Sequence, residues 1–228
     1  MSNSLNYNLW QLEIFEQEIG GRVLELGCGI GNITLLLAQK ATKIYSLEIN
    51  SAAIEIASER LKDRVNVEFI ECDLINFDFD RYTDIDSIIF MNVLEHIEDD
   101  LGFLIKIREL MARTEAKMLL LVPAHMWLFG TCDSEVGHFR RYSKETLAKV
   151  LSQAGLVTKN IRYMNTIGAL GWWVNFVLLK RSGACEDNSS FQVRLFDTLI
   201  VPWLRKLEDF INPPFGISII ATLEVGDA

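Results

Sequence analysis

Arg22-Val23-Leu24-Glu25-Leu26-Gly27-Cys28-Gly29-Ile30-Gly31-Asn32 governs how the rest of the chain reads. Apolar residues flank one carboxylate and run into glycines at alternate positions, after which Ile33 to Ala38 takes up a helical pattern. That order predicts a buried first strand, a tight turn and a helix start. Glycine suits such a turn because it accepts positive φ and lets the backbone lie against a ligand. A dinucleotide turn places its third glycine three residues after the second, where the helix N-terminus takes the pyrophosphate. Here that position is Asn32, and the third glycine comes one residue early, at Gly31. The spacing weakens a hydride-transfer reading. Glu25, two residues before the first glycine, suits a ligand that carries an ammonium group and no phosphate. An ordinary glycine-rich turn is the competing reading.

Upstream, Leu5, Leu9, Leu12, Phe15 and Ile19 recur at spacings of three and four, predicting an amphipathic helix over 5–19 that Gly20-Gly21 ends. Tyr7 and Trp10 on it either stack beside a cationic ligand or simply pack on the sheet edge. Downstream, Lys43 to Leu47 reads as a second strand closed by Glu48-Ile49-Asn50. An acidic residue there accepts ribose hydroxyls of an adenosine compound or of NAD alike. Ser51 caps a helix through Leu61, and Val65 to Ile70 gives a third strand ending at Glu71-Cys72-Asp73-Leu74. Asp73 is placed either to accept a bond from an adenine amino group or to form a turn. Ile85 to Met91 and Met118 to Val122 are the fourth and fifth strands, with a helix from Leu101 to Met111 between them.

This alternation predicts a mostly parallel sheet with helices on both faces and ligands outside the carboxyl ends of its strands. Residues 22–122 form that cofactor-binding core. From Pro123 to Tyr142 no periodic element is visible, so 123–142 is expected to be a lid or substrate loop. Ser143 caps a further helix that Gly155 ends, and Leu156 to Tyr163 is a sixth strand. A helical insertion over 164–213 follows: an apolar stretch to Arg181 containing Trp172-Trp173, a polar linker at 183–190, and helices around Pro202. Ile217 to Val225 supplies a last strand. The whole, 1–228, reads as a single α/β domain.

A net charge of -9 argues against a broad surface for DNA or RNA. Four dispersed cysteines form no metal-like pair and point to a reduced, cytoplasmic setting; Cys28 and Cys72 are expected to pack as small apolar residues. The polar N-terminus lacks the features of a signal peptide. The longest apolar run, Met164 to Leu179, is broken by Asn165, Thr166 and Asn175 and falls short of the roughly 20 residues that a transmembrane helix takes. No transmembrane segment is expected.

Glu25-x-Gly27-x-Gly29-x-Gly31 resembles the first motif of class I S-adenosylmethionine-dependent methyltransferases. Together with Tyr7-Asn8-x-Trp10, Asn92 to Asp100, Gly137-His138-Phe139-Arg140-Arg141-Tyr142, Asn165-x-x-Gly168-x-x-Gly171-Trp172 and Pro214-x-Gly216-x-Ser218, it makes the chain similar to a bacterial group of these enzymes sometimes joined to family 2 glycosyltransferases. Members often carry Arg where Leu9 stands. The resemblance implies a Rossmann-like, seven-stranded sheet whose last strand is antiparallel. It implies S-adenosyl-L-methionine as cofactor, S-adenosyl-L-homocysteine as product, and a site lined by Glu25, Gly27, Gly29, Glu48, Asp73 and Asn92. Their neighbours Cys28, Gly31, Ile49, Cys72, Leu74, Val93 and Leu94 complete the expected lining, with Tyr7 and Trp10 at its edge.

Methyl transfer from a sulfonium is an in-line displacement, in which positioning alone is worth roughly 7–11 kcal/mol; a hydroxyl acceptor also needs a base. His96, His125 and His138, the three histidines of the chain, lie at or beyond the ends of strands four and five. His138 is the first candidate base, in a loop where Arg140, Arg141 and Tyr142 are placed to hold an anionic acceptor; its competing role is a lid anchor. His96 reads as base or helix cap, and His125 as structural or substrate-adjacent. Glu95, His96, Glu98 and Asp99 read either as ligands for a divalent metal or as a solvated acidic helix start; the second is favoured because carboxylates suit a helix N-terminus, and no metal is expected. Trp172-Trp173 walls an acceptor pocket, docks a second copy, rests on a membrane surface over 164–181, or packs in the core. The expected activity is O-methylation of a small-molecule or lipid-linked acceptor; an NAD-dependent oxidoreductase and a non-catalytic cofactor-binding subunit are the alternatives.

Overall fold

The computed structural model describes residues 4–181 and 191–226. In chain order its elements are α1 (Leu5–Glu13), β1 (Arg22–Leu26), α2 (Asn32–Leu37), β2 (Lys43–Glu48), α3 (Ser51–Arg60), β3 (Val67–Glu71), β4 (Ser87–Met91), α4 (Asp100–Thr114), β5 (Lys117–Pro123), α5 (Thr131–Glu135), α6 (Lys144–Gln153), β6 (Leu156–Met164), α7 (Thr166–Trp172), α8 (Phe191–Leu195), α9 (Val201–Ile211) and β7 (Ser218–Val225). The strands form one seven-stranded sheet in the order β3-β2-β1-β4-β5-β7-β6. Pairings from β3 to β5 are parallel, whereas β7 runs antiparallel to both β5 and β6. This is the expected mostly parallel sheet with its last strand reversed.

Residues alternate across the sheet, as the period-two geometry of a strand requires. Leu24, Leu26, Ile88, Phe90, Met118 and Leu120 pack on one face with Leu104 and Met111 of α4. Val23, Ile89, Leu119 and Leu121 pack on the other with Trp10, Phe15 and Leu37. Both faces are covered, which is why the central strands read as unbroken apolar runs. Glu25 lies between Leu24 and Leu26, so its side chain leaves on the face covered by α1 and α2.

Several boundaries differ from expectation for local reasons. The first helix stops at Glu13 and a separate 3-10 turn covers Glu16–Glu18. Asn50, not Ser51, caps α3: its side chain accepts from the N–H groups of Ala52 and Ala53. The 123–142 loop is more ordered than its pattern suggested, holding a 3-10 turn at Met126–Leu128 and the short α5. Its neck is closed by backbone bonds from His125 N–H to Tyr142 and from Tyr142 N–H to Pro123. In the insertion, π-helical turns follow α7 at Trp173–Leu178 and join α8 to α9 at Phe196–Ile200. The linker expected at 183–190 lies outside the described residues. Cys28 and Cys72 keep free thiols, while Cys132 is disulfide-bonded, against the expectation of reduced cysteines throughout.

Candidate functional site

At the carboxyl end of β1 the chain turns through three glycines with φ of 74° (Gly27), 51° (Gly29) and 77° (Gly31). Each answers to a different constraint. A Cβ at Gly27 would strike Val93, and one at Gly31 would press on Ala57 and Leu61. A Cβ at Gly29 would meet no protein atom within 4 Å. Gly29 instead borders a cavity of about 340 Å³. Glu25, Gly27, Cys28 and Asn92 line it as well, with Ile89 and Met91 from β4 below and Asn8 and Gln11 from α1 above. Asn92 itself has a positive φ of 54°, which asparagine tolerates better than most residues.

Glu25 is 3% exposed. Its Oε2 accepts from the hydroxyls of Thr34 (2.7 Å) and Ser46 (2.8 Å), and burial pushes the carboxyl up to about 7 despite those two bonds. A buried carboxylate held open toward a cavity favours a cationic ligand group, which would restore the ionised form. Glu48 reaches across from β2: Oε2 accepts from Gly29 N–H (2.8 Å), and Oε1 from Ile49 and Asn50 N–H. Its carboxylate thus sets the shape of the glycine turn. Asp73 accepts from Ile75 N–H and from the Asn76 side chain, the turn-forming geometry. Leu74 and Leu94 are buried in the core, Cys72 and Val93 pack at its margin, and Ile49 is exposed.

Two expected aromatic residues lie elsewhere. Trp10 is 1% exposed, within the core, and Tyr7 turns its hydroxyl toward Ser218. Their polar neighbours Asn8 and Gln11 face the cavity instead. The apolar periodicity that placed α1 also marks those two, three residues apart on its opposite face, as candidates.

Beyond Asn92 lies a second constellation. Glu95 and His96 stand on a 3-10 turn, Leu94–His96, and the loop carrying His138 is tied to it by Phe139 N–H donating to Glu95 O (2.9 Å). His138 Nδ1 meets Asp133 Oδ1 at 2.7 Å. Asp133 is fully buried and also accepts from Arg141 Nε (2.8 Å) and Gly130 N–H (2.9 Å); these partners hold its carboxyl below the usual range against the opposing effect of burial. With Asp133 ionised, Nδ1 is the donor to it, and in the neutral ring Nε2 offers its lone pair. Nε2 lies 3.8 Å from Glu95 Oε1, and the His96 and His138 rings meet edge to face at 4.5 Å. Partial desolvation, with the neighbouring His138, lowers the affinity of the otherwise exposed His96 for protons.

The arginines do not present an anion site. Arg141 is buried, bonded to Asp133 and Ala124 O and stacked on Trp172 at 4.6 Å. Arg140 donates to Ile97 O and Glu98 O and pairs with Asp100 at 3.0 Å. Tyr142 donates to the same Asp100 at 2.7 Å. Arg140 and Tyr142 spend their donors latching the loop onto the start of α4, while Arg141 spends its own inside the loop. Trp172 braces the latch from behind, its Nε1 donating to Leu128 O (3.0 Å). His125 stacks on Tyr163 at 4.5 Å. Asp133 is the residue that reading the sequence passed over; an acid five residues before His138 was its only signal.

The sheet order and the cavity at the end of β1 define a class I methyltransferase fold. Residues 8–159 match the methyltransferase domain family, and the chain belongs to that family, which sets aside the oxidoreductase alternative. Among curated proteins it is 32% identical over 122 residues to a probable ribosomal RNA small subunit methyltransferase A of Methanococcoides burtonii, an alignment covering 50% of this chain and 44% of that one. Among solved structures it is similar to an S-adenosylmethionine-dependent methyltransferase from Clostridium acetobutylicum (TM-score 0.61, 11% identity, 98% of this chain and 92% of that one). It is also similar to magnesium protoporphyrin IX methyltransferase of Synechocystis with bound S-adenosylhomocysteine (TM-score 0.57, 15% identity, 99% and 83%). The curated relatives leave the exclusion of nucleic acid, drawn from net charge, without support.

Proposed function

We propose that this chain transfers the methyl group of S-adenosyl-L-methionine to a hydroxyl oxygen of a small or lipid-linked acceptor. The observation that carries this reading is the succession of two groups along one edge of the sheet: a glycine-lined cavity with a buried carboxylate, then a histidine whose free Nε2 is fixed by a buried aspartate. When bound, the sulfonium compound supplies an activated methyl group. Glu25 attracts the ammonium end, the bare backbone at Gly29 admits the ligand, and Glu48 and Asp73 face the nucleoside. Cys28, Asn92 and Val93 complete the walls. His138 Nε2 removes the acceptor's proton, and Asp133 holds the ring and stabilises the imidazolium that results; His96 is the second candidate base. The acceptor oxygen bonds to the methyl carbon while the carbon–sulfur pair stays on sulfur, giving a neutral thioether.

Two features support the acceptor class. The charge of -9 disfavours a polyanion, and α9 carries an exposed apolar stripe of Trp203 (76%), Leu207, Phe210 (89%) and Ile211, at spacings that share one helix face. Such a face suits a lipid surface better than water. It extends to α9 the membrane contact expected at 164–181, where Leu170, Leu178 and Leu179 are also exposed. The Gly137–Tyr142 block supports membership in the bacterial group sometimes joined to glycosyltransferases.

The test is transfer of labelled methyl from the donor to a panel of hydroxylated small molecules, lipid-linked glycans and ribosomal RNA. Label is expected on a non-nucleic-acid acceptor and to fall about 10²–10⁴-fold in His138→Ala, the usual worth of a placed base. Label only on RNA contradicts the acceptor assignment.

A further inference from the structure

Glu95 is fully buried, and among the described residues neither of its side-chain oxygens has a hydrogen-bond partner. A buried carboxylate left bare is costly, because nothing replaces the water it gave up. The nearest charges do not relieve it. Arg141 spends its Nε on Asp133 and makes no hydrogen bond to Glu95, which stands as an unpartnered carboxyl in the buried group. What faces Glu95 is the Nε2 of His138, 3.8 Å away, with its proton held on the far nitrogen by Asp133. A ring nitrogen confronts an unpartnered carboxyl, and both become ligands for a cation that displaces the carboxyl proton. His96 completes the arrangement: one ligand atom each from Glu95, His96 and His138 lie within 4.8 Å of one another.

We infer that Glu95, His96 and His138 bind a divalent first-row metal ion of the zinc, cobalt or manganese kind, which takes the acceptor's oxygen. One carboxylate and two imidazoles match the donor preference of such ions, and three protein ligands leave a coordination position open. Ligands about 2 Å from a shared ion lie at most about 4 Å apart. The Glu95–His138 pair meets that limit, and the solvent-exposed His96 side chain has room to swing in. Asp133 on Nδ1 is the outer carboxylate that orients a metal-binding histidine.

For its purpose, though not for the binding itself, this site rests on the methyl-transfer reading. With the ion present, His138 becomes a ligand instead of the base. The acceptor hydroxyl coordinates and releases its proton to solvent. Its oxygen then bonds to the methyl carbon as the carbon–sulfur pair withdraws onto sulfur, and the ion leaves the cycle unchanged.

The full chain, stripped with chelator, is dialysed against Zn²⁺, Co²⁺ or Mn²⁺ and its metal content measured, with visible absorption reporting the coordination of Co²⁺. One ion per chain is expected, and Glu95→Gln and His96→Ala should each weaken binding by more than the roughly 10–100-fold that an outer-sphere partner is worth. His96→Ala alters an exposed side chain, so it keeps the test valid if Glu95→Gln fails to fold. Stoichiometry near zero, or binding unchanged in His96→Ala, overturns the site. S-adenosylhomocysteine titrated into the same samples separates the two readings. Nucleoside binding without metal would leave methyl transfer standing with His138 as base; metal without nucleoside binding would leave the ion site standing without that function.

Discussion

In the proposed function, cofactor recognition turns on Glu25. Its carboxyl is raised from 4.5 to about 7 because burial outweighs the bonds from Thr34 and Ser46. The folded chain therefore holds this proton more tightly than the unfolded chain, and the stability so gained is complete below pH 4.5 and lost as pH rises through about 7. A ligand's ammonium group reverses the preference and favours the ionised form. Affinity for S-adenosylhomocysteine should accordingly rise about tenfold between roughly pH 6 and 8, with proton release visible as a buffer-dependent heat. Glu25→Gln should abolish that slope and weaken binding about 10–100-fold, the worth of a charge-assisted bond; a slope surviving in the variant would exclude Glu25 as its source. Gly29→Ala makes a complementary case. Its added methyl meets no protein atom, so the cost in stability should be about 1–2 kcal/mol for the left-handed backbone, while nucleoside binding falls at least about tenfold. Gly27→Ala, driven into Val93, should instead lower the melting temperature more than it changes affinity. At this scale Glu25, Gly27 and Gly29 were legible because strand, carboxylate and glycines are contiguous. Trp10 was misplaced because aromatic character does not say which face of a helix is buried, and the Asp133–His138 bond joins residues in a loop with no period to read.

At the scale of elements, α1 roofs the cavity through Asn8 and Gln11 but has no side-chain cap of its own at Ser4. The insertion supplies one. Asp197, buried between α8 and α9, accepts from the N–H groups of Asn6 (3.1 Å) and Tyr7 (2.9 Å), where a carboxylate also opposes the positive end of the helix. Asp197→Ala should therefore cost about 1–3 kcal/mol, lowering the melting temperature by several degrees. Hydrogen exchange of α1 should speed up while β1 and β4 stay protected; uniform loss across the sheet would mean that Asp197 serves general stability. Hydrophobic period located every strand to within about two residues, since both faces of the sheet are buried. It did not foresee that cap, which links positions 191 residues apart, nor α5, too short to show a period.

Across the whole molecule, the sheet presents its ligand-binding edge while α9 carries an unpaired apolar stripe. Among the described residues no helix is long and apolar enough to cross a membrane. Sedimentation with zwitterionic vesicles should carry the wild-type chain and not a Trp203→Glu, Phe210→Glu variant, with nucleoside affinity equal in both. Recovery of both proteins in the supernatant would argue against a lipid surface. In the proposed function the glycine turn and Glu25 enclose an adenosyl sulfonium compound and its product. Calorimetric titration of S-adenosylhomocysteine into the wild-type chain should show saturable binding of one molecule per chain; no heat with either the product or the methyl donor would mean that the turn encloses neither.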